Sequence, residues 1–182
     1  MKKFLLTLAI VGISFASFAQ GTLNFNNKVG TTVDAKVSRL SDGTGAGAGI
    51  TAQLALVAPG GSLTFLLPTT TFKTATAGQK FYVTAPLSFV VPGTAAGQSI
   101  NVRMLAWETS FGSYDAAKSA NGLTGFSNDI SVVLGGPVAG APDALPGNLL
   151  GLQSFTISGV PEPTTYALLG LGGLALAIRR RK

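Results

Sequence analysis

Between residues 20 and 159 apolar side chains recur at every second position in short runs, and glycine or proline cuts nearly every run. A period of two is the signature of a strand with one face buried. The longest example is Ser99 to Trp107. There Ile100, Val102, Met104 and Ala106 share one face, and Asn101, Arg103, Leu105 and Trp107 share the other. Leu23 and Phe25 alternate with Thr22, Asn24 and Asn26; Val33, Ala35 and Val37 alternate with Thr32, Asp34 and Lys36. Ile50, Ala52, Leu54 and Leu56 continue the pattern, as do Leu63 to Leu67, Phe81 with Val83, and Leu87, Phe89 and Val91. Ile130, Val132 and Leu134 are in phase, and Leu152 to Ile157 forms the last run. Ser41 to Gly45, Pro59-Gly60-Gly61 and Pro92-Gly93 read as turns. Tyr114 to Ala120 predicts one or two helical turns ended by Asn121-Gly122, and Gly135 to Asn148 reads as an exposed loop. Eight or nine short strands of this kind predict an all-β chain, a single antiparallel β-sandwich or jelly-roll-like domain over residues 20–159. No helix-length amphipathic stretch separates the strands, which argues against a parallel α/β sheet. No fixed-period repeat supports a solenoid or propeller.

The two ends have a different character. Lys2 and Lys3 precede an uncharged run from Phe4 to Phe18, and Ser17-Phe18-Ala19 offers small residues where a signal peptidase reads. This is the layout of a secretory signal peptide over residues 1–19, cut between Ala19 and Gln20. The alternative is an N-terminal membrane anchor. At the other end, Pro161-Glu162-Pro163 leads into an uncharged run to Ile178, and Arg179-Arg180-Arg181-Lys182 closes the sequence. Each proline fixes its own φ and biases the residue before it to extended backbone. The corner is therefore a stiff strand with one carboxylate in its centre. The 16 residues from Pro163 to Ile178 would span roughly 24 Å as a hydrophobic helix, against a bilayer core of about 30 Å. Snorkelling cations and local thinning can close that gap. The positive-inside rule keeps the basic tail cytoplasmic and puts Tyr166 near the opposite interface. The alternative is a buried C-terminal helix, which Gly170, Gly172 and Gly173 would weaken by about 1 kcal/mol each relative to alanine.

The formal charge of +6 belongs to these ends. Residues 20–159 hold seven basic and six acidic side chains, leaving +1. Nucleic acid recognition needs a basic stripe, so no nucleic-acid partner is expected. The domain has no cysteine to staple it, although an exported protein could use one. Its length suffices to bury a core, so packing alone must hold it.

The absence of histidine and cysteine excludes a Ser-His-Asp arrangement, thiol nucleophiles and Cys/His zinc sites. Gly43-Thr44-Gly45-Ala46-Gly47 lacks the Lys-Ser/Thr of a phosphate loop and reads as a hairpin turn. Asp34, Asp42, Glu108, Asp115, Asp129 and Asp143 are the carboxylates available to a glycosidase, which needs two of them and a raised pKa on one. Surface solvation is the simpler reading. Asn128-Asp129 and Asp42 are too sparse for a calcium loop, so no metal or cofactor is expected. Trp107, Phe111 and Tyr114 cluster after the longest strand. Trp107 fits a buried core position, and Tyr114 is the better exposed candidate for contact with a sugar face.

The C-terminal order of Pro161-Glu162-Pro163, short apolar helix and Arg179-Arg180-Arg181-Lys182 resembles the PEP-CTERM sorting signal of Gram-negative bacteria, a tail also catalogued as an "ice-binding protein C-terminal" domain. The Thr69-Thr70-Thr71 run is not the flat threonine array that ice binding needs. The resemblance implies recognition of residues 160–182 by a membrane-embedded exosortase, with Pro161, Glu162 and Pro163 as recognition residues. It further implies cleavage near them, release or transfer outside, and association with exopolysaccharide and biofilm. Gly21-Thr22-Leu23-Asn24-Phe25-Asn26-Asn27, Ala52-Gln53-Leu54, Val102 to Glu108 and Gly151-Leu152-Gln153-Ser154-Phe155 are similar to small exported β proteins of Verrucomicrobia-type bacteria that carry the same tail. The expectation is a signal-peptidase-processed, non-catalytic cell-surface or matrix protein. Its precursor would pass once through the inner membrane with the C-terminus cytoplasmic. The alternatives are a carbohydrate-binding module on the same domain and a carboxylate-based glycan hydrolase.

Overall fold

The ten residues Ser99–Glu108 form the strand on which the largest sheet is built, buried on both faces from Met104 to Trp107. A computed structural model describes residues 20–84, 87–138 and 140–159. In chain order the strands are β1 (Gly21–Phe25), β2 (Lys28–Val29), β3 (Val33–Asp34), β4 (Val37–Arg39), β5 (Ile50–Val57), β6 (Leu63–Phe65) and β7 (Thr70–Thr71). They continue as β8 (Leu87–Val91), β9 (Ser99–Glu108), β10 (Thr124–Phe126), β11 (Ile130–Val133), β12 (Gly136–Val138), β13 (Ala141–Ala144) and β14 (Phe155–Ile157). One short helix, α1 (Tyr114–Ser119), follows β9. The described residues are thus all-β in class.

β9 pairs antiparallel with β5 along one edge, Leu54 opposite Met104. Its other edge takes β10 and then β11 in succession. Between those two strands the Ser127 side chain continues the ladder. Met104 N–H donates to Ser127 Oγ at 3.0 Å, and Ser127 N–H donates to the Met104 carbonyl at 2.9 Å. β6 and β7 share the far edge of β5, and the six strands do not close into a barrel. The remaining strands form two-stranded ladders: β1–β8, β2–β3, β12–β13 and β4–β14. The last of these is parallel, unlike the antiparallel arrangement expected. Its strands lie over a hundred residues apart in sequence, so no hairpin turn dictates their relative direction.

The main core lies where the inward face of β5 and β9 meets these ladders. Ala52, Leu54, Val102, Met104 and Ala106 pack with Leu23, Phe25, Val33, Val37, Val91, Leu134, Leu149 and Ile157. At about 25 cal/mol per Å² of apolar surface removed from water, this burial is the main source of stability in a chain without disulfides. β5 departs from the half-buried expectation, because Thr51, Gln53 and Ala55 are buried too. The second face is covered by α1 and its approach. Ala55, Leu105 and Trp107 pack there with Tyr114 and Ala117. Gln53 is reconciled with burial by donating from Nε2 to the Leu66 carbonyl at 3.0 Å.

α1 begins where Ser113 Oγ accepts from Ala116 N–H, and Asp115 lies in its first turn. It ends at Asn121, whose φ of 56° is the left-handed value that stops helices. This matches the sequence expectation.

Residues 135–148 correct it. They form the β12–β13 hairpin, and the glycines flanking it dock on β1. Thr22 N–H donates to the Gly135 carbonyl at 2.8 Å, and Asn24 N–H donates to the Gly147 carbonyl at 2.7 Å. A Cβ on Gly135 would collide with the backbone carbonyl of Leu145. Composition suggested a loop, but here glycine permits close backbone approach. Gly135→Ala is expected to cost about 1–3 kcal/mol, as overpacking does. A shift in the urea midpoint measures it, and a midpoint unchanged from wild type would show that the close approach of Gly135 to Leu145 does not constrain the fold.

Candidate functional site

β14 is the strand that hands the fold over to the C-terminal tail, and it is fixed on both sides. Phe155 N–H donates to the Lys36 carbonyl at 3.0 Å, and Leu40 N–H donates to the Ile157 carbonyl at 2.9 Å. Ser158 and Thr124 exchange both of their backbone hydrogen bonds at 3.0 Å. In sequence, Pro161 follows Ser158 by three residues.

Beside β14 lies an open cleft of about 290 Å³ lined by Lys36, Ser38, Gly43, Phe81, Ser154, Phe155 and Thr156. Parallel register sets Thr156 opposite Ser38 and Phe155 opposite Val37. Phe155 is half-buried against the core, and Phe81 is half-buried across the cleft. The Lys36 ammonium stands 5.9 Å from the Phe81 ring centroid. Ser154 Oγ accepts from Lys36 N–H at 2.8 Å.

The wall carrying Phe81 is set by a buried side chain. Asn27 donates from Nδ2 to the carbonyls of Ala35, at 2.7 Å, and Phe81, at 3.0 Å. Its Oδ1 accepts from Val83 N–H at 2.9 Å. Next to it, Tyr82 Oη donates to Asp34 Oδ1 at 2.6 Å, and Lys28 Nζ stands 3.0 Å from Asp34 Oδ2. The Tyr82 hydroxyl and then Lys28 hold the Asp34 carboxyl below its usual range. Burial, with Asp34 second, pushes the Tyr82 hydroxyl up to about 12.

The signs of these shifts give opposite pH limits. Asp34 is depressed, so its contribution is complete above the unfolded value of about 3.9 and is lost as acid protonates it. Tyr82 is raised, so its contribution is complete below about 10 and is lost as pH climbs through about 12. Tyr82→Phe is expected to flatten the alkaline limb of a stability–pH curve, and Asp34→Asn the acid limb. Thermal unfolding across the pH range checks both, and parallel curves for wild type and variants would refute the coupling.

Of the other carboxylates, Asp129, Asp42 and Glu108 are engaged by neighbouring groups. Arg103 grips Asp129 with two hydrogen bonds, at 2.6 and 2.9 Å, and lowers its pKa. Asp42 accepts from Thr44 N–H and Oγ1, and these bonds lower its pKa as well. Glu108 accepts from Ser110 Oγ. A general acid needs a shift in the other direction.

Tyr114, expected at the surface, is 7% exposed. Its ring meets Trp107 edge-on at 6.5 Å. The helix turns this residue inward to cover the second face of the sheet, which removes the ring face a sugar would need. Trp107 is buried, as expected. Sequence reasoning missed Lys36, Phe81 and Phe155 as a group, because a parallel ladder and a buried asparagine bring them together. The Ser154-Phe155 pair stood out only in the resemblance.

Gln20 is exposed. Ala19, the recognition residues Pro161, Glu162 and Pro163, and the basic tail Arg179, Arg180, Arg181 and Lys182 lie outside the described residues, as do the expected signal peptide and hydrophobic helix. Among the described residues no helix is long and apolar enough to cross a membrane.

Residues 159–182 match the family model of the PEP-CTERM protein-sorting motif. That motif implies an exported protein sorted at the membrane by an exosortase. No curated protein and no solved structure matches the chain.

Proposed function

We propose that this exosortase-sorted chain is a non-catalytic cell-surface or extracellular-matrix protein associated with exopolysaccharide and biofilm. The single observation that carries the reading is the sorting motif at residues 159–182. Signal peptidase removes residues 1–19. The precursor rests in the inner membrane through the C-terminal apolar helix with Arg179 to Lys182 in the cytoplasm, and the exosortase then acts near Pro161-Glu162-Pro163.

The fold supports this order of events. β1 begins at Gly21, two residues past Ala19, and the last strand bridge is at Ser158. Cuts at 19/20 and beyond 160 therefore leave every described strand in place. The domain between them we read as sandwich-like, with the large sheet on one side of the core and the short ladders on the other. The non-catalytic reading is supported by a sequence without histidine or cysteine and by the engagement of Asp34, Asp42 and Asp129 with neighbouring groups.

Intact-mass measurement of the protein from its native host tests the reading. The expected species starts at Gln20, unmodified or cyclised, and lacks Lys182. An extracellular form that still ends at Lys182 would overturn the processing claim.

A further inference from the structure

We propose that the cleft between β4, β14 and Phe81 is a binding site for a carboxylated sugar unit of an extracellular polysaccharide. The inference rests on the exported placement proposed above, because such a polymer lies outside the cell.

The cleft combines three kinds of group. Phe81 and Phe155 offer apolar ring surface, on which the C–H face of a sugar ring packs. Ser38, Ser154 and Thr156 bring hydroxyls, and those of Ser38 and Thr156 have no protein partner among the described residues. Lys36 supplies a positive charge beside the rings and makes no ion pair among the described residues. Asp34, to which Lys36 contributes electrostatic attraction without a direct ion pair, is already engaged by Lys28 and Tyr82. An ammonium left over in this way suits a ligand that brings its own carboxylate.

Other occupants fit less well. A peptide adding a strand needs a free backbone edge. β4 is taken by β14 and by Gly45, and β14 by β4 and Thr124–Ser158. A nucleic acid needs a basic stripe, and one ammonium does not make one. A purely apolar ligand would leave the hydroxyls and the charge without partners. The volume, about 290 Å³, is at the low end of small-molecule sites and admits a sugar unit or two rather than a long buried chain.

The test uses the full chain in detergent, titrated calorimetrically with α-1,4-linked trigalacturonate and with the neutral galactose trimer of the same linkage. Saturable binding of the acidic trimer, weakened by added salt, is expected. Lys36→Gln, an exposed change that leaves the fold alone, should lower the affinity about tenfold, the scale of one charge-assisted hydrogen bond. Phe81→Ala, checked for intact fold by circular dichroism, should lower it at least as much. No saturable binding, equal binding of the neutral trimer, or indifference to Lys36→Gln would each overturn the proposal. Tail processing in the Lys36→Gln chain should be normal, so a failed cleft and a failed sorting signal give different results.

Discussion

Cells making the Pro161→Ala or Glu162→Ala chain are expected to accumulate a membrane-held precursor that still ends at Lys182. Two prolines around Glu162 restrict the backbone before binding, so the segment meets its enzyme with less conformational entropy left to lose. Pro161→Ala removes that stiffness while keeping the carboxylate. Glu162→Ala removes the one charge in the corner, and a hydrogen bond to a charged group contributes about 1.5–3 kcal/mol, or roughly ten- to hundredfold in recognition. Glu162→Gln separates charge from size. It should resemble Glu162→Ala if the enzyme reads the negative charge. Fractionation followed by C-terminal mass spectrometry gives the answer directly. Processing of all three variants at the wild-type level would mean that the apolar run and basic tail are read without the corner. The anchored Ser158–Thr124 bridge gives this prediction a geometric side. Only Gly159 and Val160 separate the Ser158 bridge from Pro161 in sequence, so an exosortase acting at the corner is expected to work close to the folded domain. Lengthening the link after Gly159 should be tolerated, whereas deleting residues there should slow processing.

What the sequence could show follows from the range of the interactions involved. Alternation is local, so β9, β5 and β1 were legible from Val102, Met104 and Ala106, from Ile50, Ala52 and Leu54, and from Leu23 and Phe25. α1 was legible because its stop at Asn121-Gly122 is also local. Pairing between distant segments leaves no such trace. Nothing in Val37 to Arg39 announces Phe155 to Ile157 as a parallel neighbour, and the cleft exists only because of that neighbour. Gly135 and Gly147 carry the same composition whether they are loop residues or sites of backbone contact with β1. Tyr114 was misplaced because amphipathicity over a six-residue helix is too short a signal to tell its inner face from its outer one. The sorting tail is the opposite case. Its order of corner, apolar run and charges is a linear pattern, so it could be read without any fold.

Asn27→Ala is expected to be the most destabilising single polar substitution in the domain, by about 3–5 kcal/mol against the 5–15 kcal/mol of a typical domain. The side chain is fully buried and joins three backbone groups from two segments: the carbonyls of Ala35 and Phe81 and the N–H of Val83. Alanine would strand Val83 N–H in a core where Val83 is itself buried, and an unpaired buried group costs about 1–3 kcal/mol. The two carbonyls lose a donor as well, though each has a second lone pair to share, so the three losses are not additive. Asn27→Asp should do no better, because it keeps the acceptor for Val83 while losing both donors and burying a charge. Asn26→Ala, one residue earlier, is the control. Asn26 is half-exposed and among the described residues its side chain caps only Lys28 N–H, so its loss should stay under about 1 kcal/mol. Urea unfolding of the three variants orders them, and an Asn27→Ala midpoint no lower than that of Asn26→Ala would dismiss the role given to Asn27. Because the same amide fixes the Phe81 carbonyl, its removal should also loosen the aromatic wall of the cleft. Stability of the core and shape of the candidate site then fail together at a residue that neither catalyses nor binds.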